Sequence, residues 1–312
     1  MLRQRAAATG AGAMMQAAFV ILAHQGCGAV IAAAAAGLDP TFPAGDSNGS
    51  SSVLQLSLLR QVLASSADFD WETSITHAEW KAEETALILI DLWNCHWCAA
   101  MSQRTTDLAF RVNRTASKLR ARGVHIVHSP SSPGLAFYQG YASRARVMAA
   151  PFVQPPGPVN VTDPAPLPLD TSGPRQGCPS GQTWPPRPGT KPFACNIHRQ
   201  SSLIFIDESR DGIANSDNGS EVHSYLKSIG VKHLLYVGVA SNMCVLHRED
   251  ATLNMGRWGW EVAVVRDEVD TCYSPQDSPY VSHSASNELQ ASYFEQHVCP
   301  TVHSHQLDYP AV

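Results

Sequence analysis

Short, mainly apolar runs alternate along this chain with stretches where apolar side chains recur every three or four positions. The runs occupy residues 86–90, 124–127, 202–206, 233–237 and 262–265. About four or five such residues in a row suit strands buried on both faces of a parallel sheet. Between them, residues 105–122 put Leu108, Val112, Thr115 and Leu119 on one face, and Gly123 offers a helix C-cap. Residues 218–229 turn Val222, Tyr225, Leu226 and Ile229 inward, with Asn218 and Glu221 as the start signal and Gly230 as the stop. Helices are also expected from Cys244 to Thr252 and over residues 287–298, and a short one over residues 53–63. Alternation of strand and helix predicts an α/β fold, a three-layer α/β/α sandwich around a mainly parallel, Rossmann-like sheet.

Two segments break this pattern. Residues 130–195 carry Pro155-Pro156, Pro164, Pro166, Pro168, Pro185-Pro186 and Pro188, and read as a long insertion with no core of its own. The insertion leaves its strand at the same edge as Asp91, so it is either a lid over that edge or a surface decoration. At the other break, Arg3 and Arg5 precede an Ala-rich apolar run within residues 17–37, interrupted by His24 and Gln25. That is the pattern of a signal peptide, and the run is also long enough for a membrane anchor. Residues 38–52 form a Gly/Ser/Pro/Asp linker expected to be disordered, which leaves 53–312 as the folded domain. A chain starting near Val53 is therefore expected to stay soluble with an undiminished melting temperature, because the leader has no amphipathic face to pack. Loss of solubility in a sedimentation assay would count against this.

The 312 residues carry a net charge of −5 with no basic run, which argues against a nucleic-acid partner. Glycosylation triplets begin at Asn48, Asn113, Asn160 and Asn218. Together with the leader they place the protein in the secretory pathway or outside the cell, with a membrane-anchored or organellar site as the alternative. Membrane contact is expected through the N-terminal segment only. The eight cysteines lack zinc-ribbon spacing, and Cys178 and Cys195 within the insertion are a candidate disulfide. Cys95 and Cys98 have C-x-x-C spacing but follow a strand in the wrong context for a redox site.

Candidate chemistry gathers at two strand ends. The run 86–90 ends on Asp91, and a carboxylate there lies at the carboxyl edge of a parallel sheet, where open α/β folds bind ligands. A turn-capping aspartate would look the same. The run 234–237 is broken by Gly238 and leads through a small-residue turn to Cys244 at the start of a helix. Free first-turn amides bias such a thiol toward thiolate and can hold an oxyanion, although a buried structural cysteine fits the same stretch.

The strand ALILID ending on Asp91 and the stretch GVASNMCV, residues 238–245, follow in this order about 150 residues apart. In these two motifs the chain resembles the isochorismatase-like cysteine hydrolases, a family that includes nicotinamidases. The likeness runs from Thr85 to the C-terminus, and DLWNCHWC, RDEVDTCY and VCPT are similar to a bacterial-type subgroup. The resemblance implies an about six-stranded parallel sheet and an Asp–Lys–Cys triad. It also implies a cis peptide, here Val239–Ala240, and an oxyanion hole from the amides of Ala240 and Cys244. Cys244 would then be the nucleophile and Asp91 the general base. The family's lysine is missing at its expected place, which reads NIHRQSS, so Arg199 is taken as the cation, with Lys191 as the fallback.

Nicotinamidases of this family hold zinc through an Asp-x-His after the first catalytic aspartate. Here Trp93 stands two residues after Asp91, so that ligand set is missing and neither metal nor cofactor is expected. His96, Trp93 and His128 are taken as substrate-orienting residues. The expectation is a cysteine-dependent hydrolase of a small amide or other C–N substrate acting through an acyl-cysteine. The alternative is an inactive binding module of the same fold that has lost the lysine. The expected partner is a small molecule, and self-association stays open.

Overall fold

The structure is a computed structural model and describes residues 52–65, 70–158, 162–173, 175–181 and 197–308. The leader, the linker up to residue 51, Asn160, Lys191 and Cys195 lie outside the described residues. The chain runs β1 (Val53–Ser65), β2 (Asp70–Lys81), β3 (Thr85–Ile90), α1 (Ala99–Ala121), β4 (His125–Ser129), α2 (Ser132–Leu135) and α3 (Ala142–Met148). It continues through β5 (Gly212–Ile213), α4 (Gly219–Ser228), β6 (His233–Val239), α5 (Cys244–His247), α6 (Thr252–Arg257), β7 (Glu261–Asp270), α7 (His283–Tyr293) and β8 (Thr301–Val302). The strands form one sheet in the order β2-β1-β8-β7-β6-β3-β4-β5. Strands β3 to β8 pair in parallel, and the β1–β2 hairpin is added antiparallel through β8.

All six residues of β3 are buried, as a central strand covered on both faces requires. Alternate side chains divide between two cores. Leu87 and Leu89 pack with Met101, Leu108, Val112 and Leu119 of α1 on one face. Ala86, Ile88 and Ile90 pack with Val222 and Leu226 of α4, Met255 of α6 and Phe294 on the other. The period-two geometry of a strand thus builds the three layers directly. Helix α1 ends at Gly123 with φ +98, and Asn218 caps α4 by accepting the Glu221 N–H at 3.1 Å.

Three expectations are corrected. Residues 53–63 form a strand, because Leu54 and Leu56 alternate with exposed Gln55 and the whole stretch pairs with β2. A Leu-rich run satisfies either period, and the hairpin decides between them. Residues 202–206 make turns, and the strand beside β4 is Gly212–Ile213. Ile204 and Ile206 still pack inward, which satisfies their apolar pattern without a ladder. The helix opened by Cys244 stops at His247, and the extended Arg248 turns the chain so that Asp250 enters the core. Asn113 lies within α1 with its side-chain oxygen accepting the Phe205 N–H at 2.8 Å. No helix among the described residues is long and apolar enough to cross a membrane.

Strands β3 and β6 are neighbours, with Ile90 opposite Gly238. Gly238 has φ +119, and a Cβ there would stand 2.0 Å from the Ile90 carbonyl oxygen. That approach brings the ends of the two strands together. Gly238→Ala is therefore expected to cost at least about 3 kcal/mol of stability or to prevent folding, whereas Gly140→Ala should stay within about 0.5 kcal/mol. No atom lies within 4 Å of a Cβ at Gly140. Thermal denaturation of the two variants side by side checks the contrast.

Candidate active site

Asp91 follows β3 directly with φ +47, a left-handed conformation that aspartate tolerates better than most residues. Its side chain is buried and Oδ1 accepts the Ser131 N–H at 2.8 Å. Its Oδ2 accepts a hydrogen bond from Arg248 Nη2 at 3.2 Å. The Cys244 thiol lies beside the same carboxylate, which raises its pKa, and beside the Arg248 guanidinium, which lowers it. Thiol, carboxylate and guanidinium thus meet at the joined ends of β3 and β6. The second guanidinium nitrogen, Nη1, pairs with Asp217, which also accepts the Ser132 N–H at 3.0 Å. Burial works against charge on Arg248, but Cys244, Asp91 and Asp217 outweigh it and hold it protonated more firmly than usual.

Sequence reasoning placed Arg199 at this cation position. Its guanidinium instead lies over the Phe137 ring, 5.4 Å from the centroid, while its main chain is held by Asn94. The signal for Arg248 was present: it stands four residues after Cys244, the spacing that puts two helical side chains on one face. The expected shift of the thiol also reverses. Burial first, and Asp91 after it, push the Cys244 thiol well above its ordinary value, against the pull of Arg248 and the Ala240 N–H. Helix α5 has only four residues, too short a stack of peptide dipoles to offset the loss of water.

The Val239–Ala240 peptide is cis. Beyond it, the Ala240 N–H lies near the Cys244 sulfur and lowers the thiol pKa, and the Ala240 carbonyl accepts the N–H groups of Met243 and Val245, each at 3.0 Å. Among the described residues no backbone carbonyl takes the Cys244 N–H. The loop is clamped by Asn242, whose amide donates to the Cys272 carbonyl at 3.0 Å and accepts the Cys272 N–H at 2.8 Å.

A cavity of about 430 Å³ opens over this cluster. Cys244, Arg248, Ala240 and Ser131 lie on its lining, as do Trp93, His96 and Trp97. The rings of Trp93 and His96 stack with centroids 4.5 Å apart, and Trp97 covers His96 at 4.8 Å. His96 Nδ1 accepts the Cys98 N–H at 3.1 Å, which fixes the proton of the neutral ring on Nε2. Burial first, then Arg104, lowers its pKa to about 4, so the ring is a neutral donor at physiological pH. His128 is elsewhere: it is buried between Gln200 and Asp211, and Asp211 also pairs with Arg120 at 2.7 Å. Burial would raise Asp211, but His128 and Arg120 outweigh it and hold it at about 2, which makes this a structural ion network.

The insertion contributes Thr171 and Gln176 to the cavity wall. It is tied to the floor by a disulfide from Cys178 to Cys98, which replaces the expected Cys178–Cys195 pairing. Cys95 is disulfide-bonded as well. A cavity of similar size, about 450 Å³, lies between Trp80, Arg257, Trp260 and Cys299. It adjoins Glu261 and Val262, which open β7, and so faces away from the strand ends that carry Asp91 and Cys244. Among the described residues no group of three or more His, Cys, Asp or Glu is placed to hold a metal ion.

No family model matches the chain, and no curated protein matches it in sequence. Solved structures similar to it include isochorismatase-family proteins. A cysteine hydrolase from Pseudomonas syringae pv. phaseolicola is 11% identical with a TM-score of 0.45, over 73% of this chain and 92% of that one. An isochorismatase family protein from Burkholderia thailandensis is 16% identical with a TM-score of 0.42, over 72% and 94%. A pyrazinamidase of Pyrococcus horikoshii in complex with zinc is 15% identical with a TM-score of 0.37, over 70% and 99%. At such low scores the reading of this site rests on its own residues.

Proposed function

We propose that this protein is a cysteine hydrolase of a small amide or carbamoyl substrate, with Cys244 as nucleophile, Asp91 as general base and Arg248 as the cation between them. The observation that carries the reading is the buried Asp91 held by Arg248 at 3.2 Å, with Cys244 beside both groups on the lining of a cavity. Because the resting group is a thiol, proton loss and attack occur together. Asp91 takes the thiol proton as Sγ bonds to the acyl carbon. The oxyanion that forms is held by the N–H groups of Ala240 and Cys244, which lie beside the sulfur. Asp91 returns the proton to the nitrogen as the C–N bond breaks and amine or ammonia leaves. Water then loses a proton to Asp91, attacks the thioester, and frees the acid together with the Cys244 thiol.

Trp93, Trp97 and neutral His96 favour an uncharged, planar group beside the scissile bond, with the His96 Nε2–H as its donor. The disulfides support an oxidising compartment, in agreement with secretion. A screen of small primary amides and carbamoyl compounds for ammonia release tests the reading. Turnover of at least one of them is the expected result. Saturable binding without release of amine from any would leave the fold as a binding module and overturn it.

A further inference from the structure

Arg248 faces three carboxyl groups and touches two, Asp91 and Asp217. The third, Asp250, stands two residues further on with its side chain fully buried. One of its oxygens accepts the Ser129 hydroxyl, and the other, Oδ1, has no hydrogen-bond partner among the described residues. Tyr236 of β6 donates its hydroxyl to the Asp250 carbonyl at 2.5 Å and so fixes the main chain there. Ser129 ends β4, and its carbonyl accepts the Asp91 N–H at 3.4 Å, so one residue links Asp250 to the base. The groups facing Asp250 are thus Asp91 just after β3, Ser129 from β4, Tyr236 from β6, and Arg248 from its own turn.

We propose that Asp250 is a positioning acid of this site, a carboxyl that keeps its proton beneath Asp91 and so leaves the Arg248 guanidinium to Asp91 and Cys244. The proposal rests on the reading of those three residues as the reacting cluster. An ionised Asp250 would be a buried charge with an unpaired oxygen, which is costly unless a cation moves to it. The nearest cation is Arg248, already shared by Asp91, Asp217 and Cys244. Burial first, with the Asp91 charge adding to it, pushes the acid up to about 8 against the pull of Ser129 and Arg248. Below that pH the site holds one carboxylate beneath the thiol, and above it a second, which draws on Arg248 and makes the Cys244 proton harder to remove.

The test needs no substrate, so its failure is separate from failure of the hydrolase reading. Iodoacetamide modification of the full chain is followed by peptide mass spectrometry at Cys244, over about pH 6 to 10, in wild type and Asp250→Asn. The variant keeps the shape and cannot ionise. The ratio of its rate to wild type should be near one at about pH 6.5 and rise through about pH 8 to threefold or more. A flat ratio overturns the proposal. Ser129→Ala gives a second reading should Asp250→Asn not fold. Loss of its hydrogen bond should delay ionisation of Asp250, so that this variant outpaces wild type near pH 8 to 9, whereas superimposed profiles overturn the proposal.

Discussion

Cys244→Ala is expected to lower turnover of any amide found to be a substrate by at least about 10³-fold, with the melting temperature changed by only a few degrees. Two free thiols bear on this result. Cys244 lies on the cavity beside Asp91. Cys272 also lies on the cavity, but its sulfur lies 3.8 Å from the Gln176 carbonyl rather than against a base. Rapid quenching of wild type with a turned-over amide should therefore trap a thioester on Cys244, located by mass spectrometry of the digest. Asp91→Asn should abolish formation of that adduct, since the thiol then has nowhere to send its proton. An adduct on Cys272, or full turnover by Cys244→Ala, would sink the mechanism. The raised thiol also implies slow alkylation of Cys244 near neutral pH compared with a free cysteine, the opposite of what a thiolate at a long helix terminus would give.

Arg248→Ala is expected to reduce kcat/KM by about 10²–10³-fold, the loss typical of one charged donor in a desolvated site. The guanidinium holds Asp91 with one nitrogen and Asp217 with the other. Lysine carries the charge but lacks the planar fork, so Arg248→Lys should recover part of the loss and no more. Arg199→Ala is the control. That guanidinium lies on the Phe137 ring, so the variant should stay within about threefold of wild type. A severe loss in Arg199→Ala together with a silent Arg248→Ala would restore Arg199 as the cation. Thermal denaturation of each variant separates a catalytic loss from an unfolded one.

What was legible in the chain follows from local periodicity. The runs at 86–90 and 233–237 appear as β3 and β6 because four or more buried β-type residues admit little else. Helix α4 was framed by its own cap, and Gly123 marked the end of α1. The order of Asp91 and Cys244 after their strands placed both at one sheet edge before any contact was known. Pairing over distance was not legible. The Leu-rich stretch 53–63 satisfied a helix and a strand alike, and only the hairpin with β2 chose. Cys178 was matched with Cys195, its neighbour within the insertion, and the approach of that insertion to the start of α1 selected Cys98. The cation was misplaced because an arginine's reach is set by where the chain turns, and the turn after His247 is dictated by burial of Asp250 against Ser129. Local sequence thus determined most of the elements and brought the two residues proposed to react to one sheet edge. Tertiary structure alone decided the protonation of Cys244, because desolvation and a neighbouring carboxylate belong to the assembled site and to no segment of the chain.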